Sequence, residues 1–578
     1  MTDVGINKTL LLHNSHFRQN EVWVHARSED VCFDPRAIQN QIEDINHSVL
    51  LVRQDNKIGI LTAHKAQCFT PIPPSDLDKD KIQDSLISLL GIVPSLKLTN
   101  LGNPHFKKRY GILYALLSGA MANGIASVEI VEAMGKAGMM GVFGAAGLSI
   151  SRVEEAIIQL KQKLGSSPFG VNVIHSPNEG EQESRMVELL LRHQVRIVEA
   201  SAFLDLSIPI IRYRLAGIFQ NDQGDIVVPN RVIVKVSRVE VASKFLAPAP
   251  DKILDQLERE GFLTKEQKGW AKRIPVASDL TAEADSGGHT DNRPAITLIP
   301  TMIELRDRLQ QKWNYADPIH IGAAGGISTP ASVAAAFAMG ADYVVTGSIN
   351  QACKESGSSD VVREMLAQAE QADVTMAPAA DMFEMGVKLQ VLKRGTMFPM
   401  RAAKLYEWYR NYPNLEAIPA SDKKILETQI LRLPLPEIEK QIKDFFMKRD
   451  PTQIEKAKVD PKHKMALVFR WYLGQSSRWA NSGQEDRRLD FQVWCGPAMG
   501  AFNEWTKGTE FAQAKNRDIK TISLNLLYGA AQVIRRNYLN SIGIEIPKNW
   551  LLAVPINAAE LEAKIRDPQG EKIENADR

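Results

Sequence analysis

Two glycine-rich segments carry the residues best suited to chemistry: Ser286-Gly287-Gly288-His289, within 283–294, and Gly325-Gly326-Ile327, about 35 residues on, each behind an apolar run. Glycine at a strand exit lets backbone approach a ligand, and amides at the following helix start hold a phosphate dianion without a basic side chain. Gly325-Gly326 precedes a small-residue helix over 329–339 and then a strand ending on Thr346-Gly347-Ser348, so two successive exits offer phosphate contacts. The plainer reading of either loop alone is a tight turn. His289 behind two glycines would stand bare at such an exit, with an ordinary pKa of about 6.5 that suits proton donation. Its bland alternative is a loop histidine bonded to Asp285 or Asp291.

Polar residues inside apolar strands are the second signal. Asn172 sits in Phe169-Gly170-Val171-Asn172-Val173, where an amide is costly without partners, and a flavin edge would supply them. Lys235 interrupts Val232-Ile233-Val234-Lys235-Val236 and needs an anion: a reduced flavin, or equally a carboxylate from a neighbouring strand. Gly119-Ala120-Met121 follows the first barrel strand and would admit a flat ring against backbone, its alternative being a plain helix start. Gly141 to Gly147 has the spacing G-x-x-G-x-x-G with no suitably placed acidic residue, which is not a dinucleotide fingerprint. Neither a G-x-x-x-x-G-K-[ST] loop nor an H-E-x-x-H helix occurs, so a mononucleotide cofactor is expected and ATP chemistry is not. Cys353 has no histidine near it in sequence and reads as core or loop.

The elements that must position these residues alternate strand and helix from about 110 to 370, the pattern of a parallel sheet covered by helices. Strands are expected at 114–117, 138–142, 169–173, 197–200, 232–236, 275–279, 319–323 and 343–346, the number and period of a (β/α)₈ TIM barrel rather than of an open doubly wound sheet. A polar turn at 220–225 and a helical insertion at 251–273 interrupt it, and either is a candidate cap for the barrel mouth. The expected division is 1–104, a small N-terminal α+β domain; 105–375, the barrel; and 376–578, a helical C-terminal region rich in aromatics. In the first part, strands at 22–26, 48–53 and 58–62 include a hairpin through Gln54-Asp55-Asn56-Lys57, and a helix is expected around 81–90.

At 578 residues the chain exceeds one hydrophobic core. Lys and Arg total 70 against 68 Asp and Glu, a net +2, so no overall field recruits nucleic acid or anionic membrane. Four scattered cysteines indicate neither zinc nor a disulfide framework, and no bound metal is expected. The start Met1-Thr2-Asp3-Val4-Gly5 lacks a leader pattern and no apolar run is long enough to span a bilayer, so a cytoplasmic protein is expected. The locally basic stretch Lys448 to Lys464 reads first as a solvated face and second as a dock for an acidic carrier protein.

Phe169-Gly170-Val171-Asn172, Ser286-Gly287-Gly288-His289, Ala324-Gly325-Gly326-Ile327 and Gly340-Ala341-Asp342 with Thr346-Gly347, in this order, resemble the FMN-dependent barrel superfamily of nitronate monooxygenases and FabK-type enoyl-acyl carrier protein reductases. The longer strings 283–294, 320–328, and 381–386 to 398–401 look like the PfaD-type proteins, trans-acting enoyl reductases of polyunsaturated fatty acid and polyketide synthases. The resemblance implies bound FMN, NADPH as hydride donor, and a trans-2-enoyl chain on an acyl carrier protein. It places His289 as the active-site histidine, Gly325, Gly326, Gly347 and Ser348 at the phosphate, and Asn172 at the flavin. Thr346, Gly287, Gly288, Lys235 and Gly119 to Met121 complete the expected cofactor site, and a homodimer is left open. An oxygen-using monooxygenase and a non-catalytic assembly component are the alternatives carried forward.

Overall fold

The computed structural model describes residues 11–12, 22–54, 57–66, 68–70, 86–175 and 180–566. Eight parallel strands close into a barrel: β1 Leu116–Ser118, β2 Met140–Phe143, β3 Gly170–Ile174, β4 Ile197–Ser201, β5 Arg231–Val236, β6 Asp279–Glu283, β7 Ile321–Ala324 and β8 Tyr343–Thr346. Each pairs with its neighbour in chain order, and β8 closes on β1 with Val344 opposite Leu116. The strands read as near-continuous apolar runs because both their faces are covered, by the packed lumen and by helices.

β6 corrects the sequence reading, which ended that strand at Asp279 instead of beginning it there. An aspartate reads as a strand terminator, yet this one is fully buried because its carboxylate accepts bonds from Arg109 Nη1 at 2.8 Å, Tyr110 Oη at 2.6 Å and His320 Nδ1 at 2.6 Å. The cluster plugs the end of the barrel where strands begin, above Phe106 and Tyr343, whose rings stack 4.0 Å apart. Burial works against the Asp279 charge, but His320 and Arg109 more than offset it and its pKa is lowered. The shift puts the β6 exit at Glu283, directly ahead of the Ser286 to His289 loop.

The two interruptions form but do not cap the mouth. Phe219–Gln220 pairs with Ile226–Val227 as a hairpin, and helices Asp251–Arg259 and Lys265–Ala271 make the insertion. Each lies between a barrel helix and the next strand, which places it at the strand-entry end, opposite the exits. Gln267 Nε2 donates to Ile218 O, just ahead of the hairpin, and Arg212 of the helix Ile208–Leu215 lies over the Phe262 ring, so the insertion buttresses that helix and the chain leading into the hairpin.

The chain divides into two compact units. One takes the described residues up to Leu101, Thr329–Ala335 and the described residues from Thr521 onward; the other takes Gly102–Ser328 and Ala336–Lys520. In the first, antiparallel strands run in the order Lys57–Thr62, Val49–Gln54, Leu86–Val93, Val22–His25, Cys68–Thr70. Val49–Gln54 and Lys57–Thr62 form the expected hairpin. The helix expected around 81–90 is instead the strand Leu86–Val93 from Leu86 on, with 81–85 outside the described residues. A short apolar run fits either period, and Leu86–Val93 is a central strand paired on both edges. Ile38, Ile42, Val49, Leu51 and Val93 share a core with Leu539, Trp550 and Leu551 from the far end of the chain.

In the second unit the region after the barrel is not wholly helical. Val374–Pro378 and Lys388–Leu392 form a ribbon, and Lys388–Leu392 pairs on its other edge with Gly288–His289. Helices Phe398–Asn411, Leu435–Arg449, Thr452–Val459, Pro461–Ser482 and Ala498–Thr506 follow. Among the described residues no helix is long and apolar enough to cross a membrane.

Candidate active site

The glycine loops at the β7 and β8 exits divide by what surrounds them. Gly325, at φ +80°, is pinned: an added Cβ would lie 2.5 Å from the Ala284 backbone. Gly326, at φ +76°, and Gly347 face open space, where an added Cβ would meet nothing within 4 Å. Ser348 begins the turn of helix that follows Gly347 and is partly exposed. Thr346 is a strut: its side chain is buried, its Oγ1 donates to Leu117 O, and its carbonyl accepts from Gly119 N at 3.0 Å. That last bond sets the Gly119-Ala120-Met121 loop beside the cradle.

Three strands deliver charge to the lumen. Lys235 Nζ of β5 lies 3.5 Å from Glu199 Oε1 of β4 and 3.2 Å from Glu283 Oε1 of β6. The alternative that a neighbouring carboxylate pairs Lys235 is therefore realised twice over. Burial works against the ammonium, but the two carboxylates outweigh it and its pKa is raised. Glu199 is pushed above the usual carboxylate range by burial, despite Lys235. Asn172 Nδ2 donates to Glu199 O at 3.1 Å and to Ser201 Oγ at 3.2 Å, while among the described residues nothing donates to its Oδ1.

His289 Nε2 lies 3.1 Å from Asp381 Oδ1, not beside Asp285 or Asp291. Asp291 is taken by Arg238 Nη2 at 2.8 Å and Ser237 Oγ at 2.5 Å, and Asp285 by Asn292 Nδ2 and Gln390 Nε2. Burial disfavours the imidazolium, but the Asp381 hydrogen bond and charge outweigh it, with help from Glu283, and the His289 pKa is raised. Asp381 is held low in turn by His289, against burial.

The C-terminal region fixes this pair. His289 pairs with Leu389 across the ribbon, Gln390 Nε2 donates to Ser286 O at 2.8 Å, and Phe383 anchors the Asp381 turn among Tyr406, Tyr409 and Phe469. Gly287 is required by close approach, since an added Cβ would lie 3.0 Å from the Cys495 and Gly496 backbone. Gly288, at φ +80°, lies under the Trp494 ring.

Open backbone at Gly326 and Gly347, an uncommitted acceptor on Asn172 and small residues at 119–120 fit a flat mononucleotide with its phosphate at the cradle. Sequence reasoning missed Glu199, Glu283 and Asp381. Glu199 gives the same signal as Lys235, one charge in an apolar strand; Asp381, 92 residues beyond His289, gives no local signal. Cys353 is buried, its thiol pushed up by that burial. In the basic stretch, Lys458 pairs with Glu455, Lys464 with Glu439, and Lys462 donates to Tyr412 O. Among the described residues no cluster of three metal-ligating side chains occurs.

Residues 104–425 match the family described as nitronate monooxygenase, and residues 412–491 match the acyl-carrier-protein S-malonyltransferase inserted helical domain. The chain is 46% identical over 457 residues to a polyunsaturated fatty acid synthase component of Thraustochytrium sp., covering 78% of this chain and 30% of that protein. It is 45% identical over 436 residues to polyketide biosynthesis protein PksE of Bacillus subtilis, covering 75% of this chain and 56% of that one. It therefore spans less than two thirds of either curated relative. Among solved structures, the enoyl reductase domain of MlnA, from the macrolactin biosynthesis cluster of Bacillus amyloliquefaciens, superposes with TM-score 0.73 at 40% identity. That match covers 77% of this chain and 100% of the domain.

Proposed function

The chain belongs to the nitronate monooxygenase family, and from that premise we propose that it is an FMN-dependent, NADPH-consuming enoyl reductase acting in trans on carrier-bound intermediates of a polyunsaturated fatty acid or polyketide synthase. The observation that carries this reading is the His289–Asp381 pair, tied by the ribbon to the β6 exit of a barrel mouth whose next two exits present the open Gly326 and Gly347 backbone. The similarity to the MlnA enoyl reductase domain over its whole length supports the reaction class, and the match of 412–491 to a carrier-linked acyltransferase's helical domain supports a carrier-bound substrate.

When bound, FMN supplies hydride for the enoyl β-carbon. The amides of Gly326, Gly347 and Ser348 would hold its phosphate, Asn172 Oδ1 would accept from it, and Gly119 to Met121 would wall its ring. A backbone amide near Gly287 and Gly288, or a side chain, would steady the thioester oxygen as charge develops there. With Nε2 engaged by Asp381, His289 holds its transferable proton at Nδ1 and gives it to the α-carbon, directly or through a water. Tyr110, Arg109 and Asp279 close the far end, so substrate enters only from the exits.

H289A is expected to retain flavin absorbance while kcat for enoyl reduction falls by about 10²–10⁴-fold. Undiminished turnover would sink the assignment of His289. The family description favours one second reading, an oxygen-using flavin monooxygenase. Anaerobic reduction by NADPH followed by mixing with enoyl thioester or with oxygen separates the two, the proposal requiring faster reoxidation by the thioester.

A further inference from the structure

The lumen holds two carboxylates and one ammonium in contact, and neither the phosphate cradle nor the His289–Asp381 pair consumes them. Glu199 is the innermost, its side chain 3% exposed. It faces Lys235 from β5 and Glu283 beyond it on β6; Ser201 Oγ donates to it from its own strand, and the Ala120 amide approaches from the β1 exit. Tyr343 of β8 feels its charge, and His289 feels those of Glu283 and Lys235. An added Cβ on Gly119 would lie 3.7 Å from Glu199 Oε2. The carboxylate therefore floors the small-residue loop against which a flat ring is placed.

A ring that gains negative charge there stands beside a cluster already carrying two negative charges against one positive. Lys235 is shared between both carboxylates and cannot neutralise a third anion. In a poorly screened interior the cheapest relief is a proton on one carboxylate. We propose that Glu199 takes up a proton when the bound flavin is reduced and releases it when the flavin is reoxidised, an inference that rests on the flavin reading above. Burial already holds this carboxyl above its usual range, and an added negative charge beside it acts in the same direction.

The step balances. A reduced nicotinamide dinucleotide gives up hydride, two electrons with one proton, and becomes the oxidised pyridinium; a second proton from solvent forms an O–H bond on Glu199. When hydride leaves for the enoyl β-carbon, that O–H bond breaks. Lys235 gives one N–H proton to Glu283 at 3.2 Å as its nitrogen takes the proton leaving Glu199 at 3.5 Å, so the ammonium is restored, and Ser286, whose Oγ lies 3.3 Å from Glu283, leads on toward the loop bearing His289. Glu199 thus stores the proton that restores His289 after it protonates the α-carbon.

Redox titration of the flavin-loaded protein across the neutral pH range tests this. Each proton bound per two electrons steepens the fall of midpoint potential by about 30 mV per pH unit. E199Q is expected to be shallower than wild type by that one increment. A second measurement needs no variant: the reduced-minus-oxidised infrared difference spectrum of wild type should show a protonated-carboxyl C=O stretch appearing on reduction. Equal slopes in E199Q and wild type, or no such band in wild type, would overturn the proposal while leaving the flavin reading intact. A protein that takes up no flavin would sink that reading, and this one with it.

Discussion

His289 is bonded through Nε2 to a carboxylate that is itself half-exposed, and this arrangement sets how the imidazole titrates. A proton donor must carry its proton at working pH, and Asp381 raises the His289 pKa, so with His289 in the proposed donor role activity should extend to higher pH than a free imidazole would allow. Removing the charge with D381N lowers that pKa. The falling alkaline limb of the kcat profile should therefore move to lower pH, with flavin binding unchanged; an unmoved limb would show that another group donates. The same residues show what sequence can and cannot reveal. Lys235 and Asn172 stand out because a polar side chain in a buried strand needs a partner. Glu199 obeys that same rule inside Ile197-Val198-Glu199-Ala200 and was readable in principle. Asp381 was not, because only the folded ribbon brings it to His289.

Among the elements, β6 depends most on a single side chain. Asp279 opens the strand while buried, which the chain permits only because Arg109, Tyr110 and His320 converge on it from a helix and from the segment before β7. D279A would leave the buried Tyr110 hydroxyl without its acceptor and the buried Arg109 guanidinium without its counter-charge, and is expected to destabilise the protein by about 3–5 kcal/mol, read as a lowered midpoint in denaturant. Since the folded pKa of Asp279 lies below its ordinary 3.8, its stabilising contribution is complete above that value and is lost as pH falls through the folded value. Wild type and D279A should thus converge in stability toward low pH; a constant gap would place the role of Asp279 in packing rather than charge. The eight barrel strands were legible because buried parallel strands are dense in apolar residues, and seven of them began and ended close to expectation. The strand Leu86–Val93 and the ribbon at 374–392 were not, because their type is decided by the edges they pair with.

Across the molecule, the segments added to the barrel sort by the end they occupy. The hairpin at 219–227 and the helices at 251–271 brace the entry end. Asp381, Gln390, Ser477 and Gly496 all reach residues at the exit end: His289, Asp285, Asn123 and Gly287 respectively. Chain order alone predicts the first group's place, since whatever lies between a helix and the following strand must fall at the entry end. It says nothing of the second, because a region following the whole barrel is free to pack anywhere. A mouth walled by residues beyond the barrel offers contacts remote from the double bond of the proposed substrate, and binding energy from remote groups is what a carrier-bound substrate would bring. The expected outcome is a kcat/KM at least about 10-fold higher for an enoyl chain on its acyl carrier protein than for the same chain on a short pantetheine thioester, a difference of about 1.4 kcal/mol in transition-state binding. The gain should shrink when the outer face of 412–491 is altered, as in K456E, if that helical region meets the acidic carrier. Equal kcat/KM for the two thioesters would assign these walls to holding the ribbon and the His289 loop in place, and would remove the carrier from the reading while leaving the reduction itself standing.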